Sequence, residues 1–218
     1  GTHVGLFGDA GCFSFYPAKH LTTGEGGMLV SRHRAAADAV STLRAFGVDR
    51  GPAGRSASGM YDVPTLGLNY RMSELHAALG KAQLSRIHDN LSHRRAAFGR
   101  LQDALAGLSD VRILEAAAPE AHSSHYCLIA VLEGRLRPRR DALRSLLKER
   151  GVGTSIYYPH PVPRLSYYRR KYGYEAERFP AAEAVSDHSV ALPVGPHLAE
   201  EDVAYVAAQF QRAVEELS

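Results

Sequence analysis

The chain has 218 residues, 45% of them apolar, and a formal net charge of +3. That is enough apolar material for one large or two small cores, and no apolar run is long enough for a membrane span or patterned as a signal peptide. The basic excess is arginine scattered among acids instead of gathered in a stripe, which argues against a nucleic-acid partner. Cys12 and Cys127 stand far apart with no CxxC spacing, so both are expected to be reduced thiols in a cytoplasmic protein.

The opening GTHVGLFGDAG begins at Gly1 and reads as the interior of a longer chain. Residues 11–16 alternate as a half-buried strand does, and GGMLVS (26–31) is a second short apolar run bounded by glycines. Ser31 is suited to cap a helix over RHRAAADAVSTLRAFG, with Gly47 ending it. The stretch 47–65, rich in Gly, Ser and Pro, predicts a long loop. From Ser73 to about Ala106, Leu75, Leu79, Leu84, Ile87, Leu91, Phe98, Leu101 and Leu105 recur at helical spacing, which predicts one long helix whose stripe is core or dimer surface. A strand over 123–132, a helix from Pro138 to Gly151, a strand over VGTSIYY (152–158) and helices near 180–189 and 199–216 complete the chain. RLRPRR (135–140), the densest basic cluster, reads as a solvated loop. The order implies an α/β part followed by a compact α+β unit, with the boundary near Asn69 to Ser73.

The segment FSFYPAKHLTTGEGG (13–27) holds Lys19, one of only four lysines. Phe13, Phe15 and Tyr16 flank it and are expected to desolvate its amine, which favours the neutral, nucleophilic form that condenses with carbonyls. Ser14, five residues earlier, can offer a hydroxyl to a phosphate while the amine reaches an aldehyde, a spacing that suits pyridoxal phosphate. The TTGEGG turn allows positive φ and close backbone approach, although a plain hairpin connection reads equally well. HSSHYC (122–127) tempts a zinc reading, but no further ligand completes a tetrahedral set, so no metal is expected.

FSFYPAKHLTTGEGGMLV resembles the Schiff-base lysine segment of the DegT/DnrJ/EryC1/StrS aminotransferases. GLNYRMSELHAALGKAQL (67–84) and TSIYYPHPVPRLSYYRRKYGY (154–174) resemble two later segments of the same family, in the same order. The resemblance implies a fold-type I transferase, with residues 1–70 as the end of the large cofactor-binding domain and residues 71–218 as a linking helix and the small C-terminal domain. It implies a cytoplasmic homodimer with a shared active site, in which pyridoxal 5'-phosphate serves transfer of an amino group from an amino acid such as glutamate to a nucleotide-linked keto sugar. Lys19 would then be the Schiff-base lysine and proton carrier, Ser14 a ligand of the cofactor phosphate, and Asn69 a group reaching the phosphate in the neighbouring subunit. Arg71 is open between a similar role and a structural ion pair at the helix start. Tyr158 and His160 are candidate substrate residues, and Tyr157 stands where many relatives have histidine.

Relatives that dehydrate sugars carry histidine in the lysine slot, so Lys19 followed by His20 implies transamination, with His20 in a packing role. Ala18 departs from the threonine common in the family. Relatives also supply an aspartate for the pyridine nitrogen and a ring-stacking aromatic from upstream residues, and no counterpart is found in these 218 residues. A non-catalytic relative acting as a dimerising or regulatory module is the rival reading.

Overall fold

In the computed structural model, which describes residues 1–49, 60–115, 121–175 and 178–218, the alternating run becomes strand β1 (Ala10–Ser14), paired antiparallel with β2 (Gly27–Ser31) so that Ser14 faces Gly27. Ser31 lies in β2, where its hydroxyl donates to the Asp9 carbonyl at 2.6 Å and accepts the His33 N–H at 3.0 Å. Helix α1 (Arg34–Leu43) therefore starts after His33 instead of at Ser31. It ends before the left-handed pair Phe46 and Gly47. Ser73 caps α2 (Glu74–Leu84), accepting the His76 N–H at 3.3 Å.

The single long helix is in fact two, because α3 spans Ile87–Leu105. At the break the Ser85 hydroxyl donates to the Ala82 carbonyl at 2.9 Å, and the Arg86 N–H bonds to Gln83. A serine that satisfies nearby carbonyls competes with the helical ladder. The chain divides into the units Gly1–Ile87 and His88–Ser218.

The second unit is built on an antiparallel sheet of β3 (Val111–Ile113), β4 (Leu128–Leu132) and β5 (Ser189–Leu192), in that order. All four β5 residues are buried. Helix α4 (Arg140–Glu149) contributes Leu143 and Leu147 to the core. The short α5 (Ser166–Tyr172) and α6 (Pro180–His188) follow. The last helix, α7 (Glu200–Leu217), buries Val203, Val206, Ala207, Phe210, Ala213 and Val214, an i, i+3, i+4, i+7 stripe. Ala97, Phe98, Leu101 and Leu105 of α3 join the same core.

Three expectations need correction here. The 123–132 strand begins only at Leu128, because His125 takes φ 48°. Residues 152–158 form no strand, and only Ser155 exchanges hydrogen bonds with Ala191, at 3.1 and 2.8 Å. The basic cluster is a 3-10 helix, Gly134–Arg139, anchored by the fully buried Leu136, with Pro138 inside it and α4 starting at Arg140.

The stripe read as core or dimer surface divides in two. Leu101 and Leu105 are buried, whereas Leu75 is 82% exposed and Leu84 58%. Among the described residues, Thr23, Ala45 and Gly47 are the buried ones of the first unit. The hydrophobic core of this chain thus belongs to the second unit.

Phe210→Ala should cost about 3–5 kcal/mol, since Phe210 is fully buried and its loss leaves a cavity; denaturant unfolding of the second unit measures this. His125 gives a pH dependence. Its ring lies 4.5 Å from that of Phe98, and burial, followed by the charge of Arg95, holds its pKa below the ordinary 6.5. The unfolded chain therefore binds more protons between the two values, so stability is lost as pH falls below 6.5 and regained as it rises. The thermal midpoint of His125→Gln should fall less than that of the parent over this interval.

Candidate functional site

Backbone bonds in the first unit hold the lysine segment. Tyr16, Pro17, Ala18 and Lys19 make a β-turn in which the Lys19 N–H donates to the Tyr16 carbonyl at 2.9 Å. Pro17 occupies the second position, where its fixed φ suits the turn. Phe15 then ties the segment's two ends together. Its N–H donates to the Gly26 carbonyl at 2.9 Å, and its own carbonyl accepts from the Thr22 hydroxyl at 3.1 Å and the Thr23 N–H at 3.0 Å.

The threonines also shape the turn that follows. Thr22 Oγ1 accepts the Gly24 N–H at 3.0 Å, and the buried Thr23 hydroxyl donates to the Glu25 carbonyl at 2.7 Å. Gly26 has φ 142°, and a Cβ there would press on Thr23 Oγ1 and Met72 Cε. The glycines of TTGEGG were legible as a turn. The two threonines were not, because nothing in their spacing says which carbonyl they will meet.

Ser14 and Lys19 are both exposed. Ser14 Oγ accepts the Tyr16 N–H at 3.3 Å, and among the described residues its own hydrogen has no acceptor. A hydroxyl with a proton to donate and a lysine amine fit a phosphate-bearing aldehyde. The expected aromatic enclosure does not form. Phe13 and Phe15 alternate onto the half-buried face, where Phe13 lies 5.4 Å from His3, and Tyr16 is 51% exposed. Strand periodicity explains this, since odd residues of β1 point away from the side of Ser14.

Asn69 is placed by backbone pairing with the segment after α1. Leu68 N–H donates to Leu43 at 2.7 Å, Tyr70 N–H to Arg44 at 2.8 Å, and Phe46 N–H to Leu68 at 3.0 Å, giving an Ala45–Asn69 bridge. Gly47 and Gly67 make that approach possible. A Cβ on Gly47 would collide with the Thr65 carbonyl, and one on Gly67 with the Gly47 amide. Among the described residues Arg71 has no ion-pair partner. Its Nε donates to Asn69 Oδ1 at 3.2 Å, and its guanidinium lies 4.9 Å from the Phe46 ring centroid, so it orients the asparagine.

In the second unit Tyr158 and His160 are exposed. Tyr157 is half-buried, and its ring meets those of Tyr126 and Tyr158 at 5.6 and 5.4 Å. Burial, with a hydrogen bond to Tyr157, pushes the Tyr126 phenol up to about 12. Tyr126 was not singled out from the sequence. The thiol of Cys127 is pushed up to about 11 by burial, so it stays protonated. Among the described residues no three of His, Cys, Asp and Glu gather as a metal site.

The family model of the DegT/DnrJ/EryC1/StrS aminotransferases matches residues 1–211. The chain is 32% identical over 204 residues to the spore coat polysaccharide biosynthesis protein SpsC of Bacillus subtilis, covering 92% of this chain and 52% of that protein. It is 32% identical over 216 residues to UDP-N-acetyl-3-dehydro-alpha-D-glucosamine 3-aminotransferase of Acidithiobacillus ferrooxidans, covering 98% and 53%. The solved PMP-form of the putative sugar aminotransferase Spr1654 of Streptococcus pneumoniae superposes with a TM-score of 0.88 at 26% identity, over 99% of this chain and 55% of that one. The chain spans about half the length of these relatives.

The Thr22 bonds should be measurable one amide at a time. Thr22→Val removes both, each worth about 1 kcal/mol, so the Thr23 and Gly24 amides should exchange hydrogen roughly fivefold faster or more, while β4 amides stay unchanged.

Proposed function

The chain belongs to the DegT/DnrJ/EryC1/StrS aminotransferase family, and from that premise we propose that it carries the lysine-bearing part of a pyridoxal-phosphate-dependent sugar aminotransferase. The reaction moves an amino group from an amino acid, glutamate in our reading, to the keto carbon of a nucleotide-linked sugar, in the cytoplasm. The relative from Acidithiobacillus ferrooxidans bears the name of such a UDP-sugar enzyme. The observation that carries the proposal is the Lys19 turn, closed on Phe15 by Thr22 and Thr23, with the Ser14 hydroxyl proton left to donate.

In this proposal residues 1–70 complete a cofactor-binding domain and residues 71–218 form the small domain with its linking helix. Pyridoxal phosphate bound there would supply an electron sink for the electrons released at the amino-bearing carbon. Ser14 would donate its hydroxyl proton to a phosphate oxygen. Lys19 Nζ would be the amine that holds the aldehyde, and when free it would be the base that takes and returns the proton at the substrate carbon. Asn69, held at Oδ1 by Arg71, would offer its amide N–H groups to the phosphate in a neighbouring subunit. Tyr158 and His160 contact the sugar nucleotide.

Lys19 is exposed in this chain. The walls that dry it are assigned to further protein, including the second subunit of a homodimer. Leu66, Leu75 and Tyr70, exposed at 89, 82 and 75%, are the kind of surface such a subunit covers.

Incubation with pyridoxal phosphate followed by borohydride should fix a phosphopyridoxyl group on the peptide containing Lys19. Mass spectrometry should find none on that peptide in Lys19→Ala and less in Ser14→Ala. Equal labelling of all four lysines would defeat the assignment.

A further inference from the structure

Helix α5 (Ser166–Tyr172) is exposed along its whole length. Ser166, Arg169 and Arg170 stand at i, i+3 and i+4, one helical face, and line a hollow of about 300 Å³. Among the described residues neither guanidinium has a carboxylate within ion-pair distance. Arg164, just before α5, contrasts with them: its two terminal nitrogens hold the Asp187 oxygens at 2.6 and 3.0 Å. Arg169 also borders a second hollow, of about 340 Å³, which includes Tyr174, Glu175 and Glu183. The carboxylates on that side leave the Ser166 side as the anion-attracting one.

Aromatic rings lie beside the cations. Tyr167 is 57% exposed and three residues before Arg170, a spacing that makes them neighbours on the helix. The Lys171 ammonium lies 5.5 Å from its ring centroid and 5.3 Å from that of Tyr172. Two guanidinium forks with no carboxylate partner among the described residues match phosphate oxygens two at a time, a serine hydroxyl adds a donor, and an exposed tyrosine face accepts a stacked base.

We propose that the Ser166–Arg169–Arg170 face of α5 binds a nucleoside diphosphate, with its phosphates between the guanidiniums and its base against Tyr167. The ligand class rests on the nucleotide-sugar reading above; the site rests on the helix itself.

Isothermal titration of the full chain with UDP, inorganic pyrophosphate and uridine tests this. UDP should bind, pyrophosphate at least fivefold more weakly, and uridine not measurably. Arg169→Gln/Arg170→Gln should weaken UDP at least tenfold and Tyr167→Ala several-fold, while Arg212→Gln, an exposed control on α7, leaves it unchanged. Far-UV circular dichroism checks that each variant is folded. Absence of UDP binding, binding unmoved by the double substitution, an equal loss in the Arg212 control, or pyrophosphate binding as tightly as UDP would each overturn the proposal. UDP binding that persists in Lys19→Ala and is still lost in the double variant upholds it even where borohydride labelling fails, so the two readings fail separately.

Discussion

The first unit depends on what converges at Phe15. Its carbonyl accepts from both the Thr22 hydroxyl and the Thr23 amide, and its amide donates to Gly26, so the strand end and the glycine turn are fastened at one residue. Everything between them, Lys19 included, becomes a loop with fixed ends. Pro17 then fixes the inner turn. The lysine backbone is positioned by these main-chain bonds together with the Thr22 hydroxyl.

Asn69 follows the same rule from a distant part of the sequence. Its strand-like bridge to Ala45 requires two backbones to meet where no Cβ can stand, and Gly47 and Gly67 are at that meeting. Arg71 then fixes the amide orientation from two residues away. The second unit works differently. Leu101, Leu105, Leu143, Leu147 and Phe210 are fully or almost fully buried there, and each such side chain contributes roughly 1.5–3 kcal/mol through burial. Hydrophobic burial stabilises that unit, while the first is held in place by hydrogen bonds.

How far the sequence could be read follows from this difference. The β1–β2 hairpin and α7 were legible because alternation and a 3–4 stripe are local signals. The break between α2 and α3 was hidden, since Leu84 and Ile87 keep the helical stripe across it while Ser85 ends the ladder with one side-chain bond. Strands β3 and β5 have only three and four residues, too short for a period to show. VGTSIYY reads as a strand by composition, yet only Ser155 found a partner. At the site, Lys19, Ser14 and Asn69 came from motif resemblance, whereas the Thr22 and Thr23 bonds and the turn of Arg71 toward Asn69 arise from contacts that spacing does not encode. The desolvation expected of Phe13 and Phe15 failed for a local reason: in a strand, neighbours in sequence face opposite ways.

That failure bears on how the proposed chemistry would be switched on. A lysine amine becomes nucleophilic when its charged form is disfavoured, and burial is the usual means. Within this chain Lys19 is exposed, and several large apolar side chains of its unit are exposed with it. Hydrogen bonds alone place an amine but do not dry it. For an enzyme of the proposed kind, drying therefore comes with whatever protein covers that apolar surface, so assembly and activation of the lysine are one event. The same coupling gives a reason for apolar residues on α2 that no core among the described residues uses: burying Leu75 and Leu84 against a partner would drive the association that the amine requires.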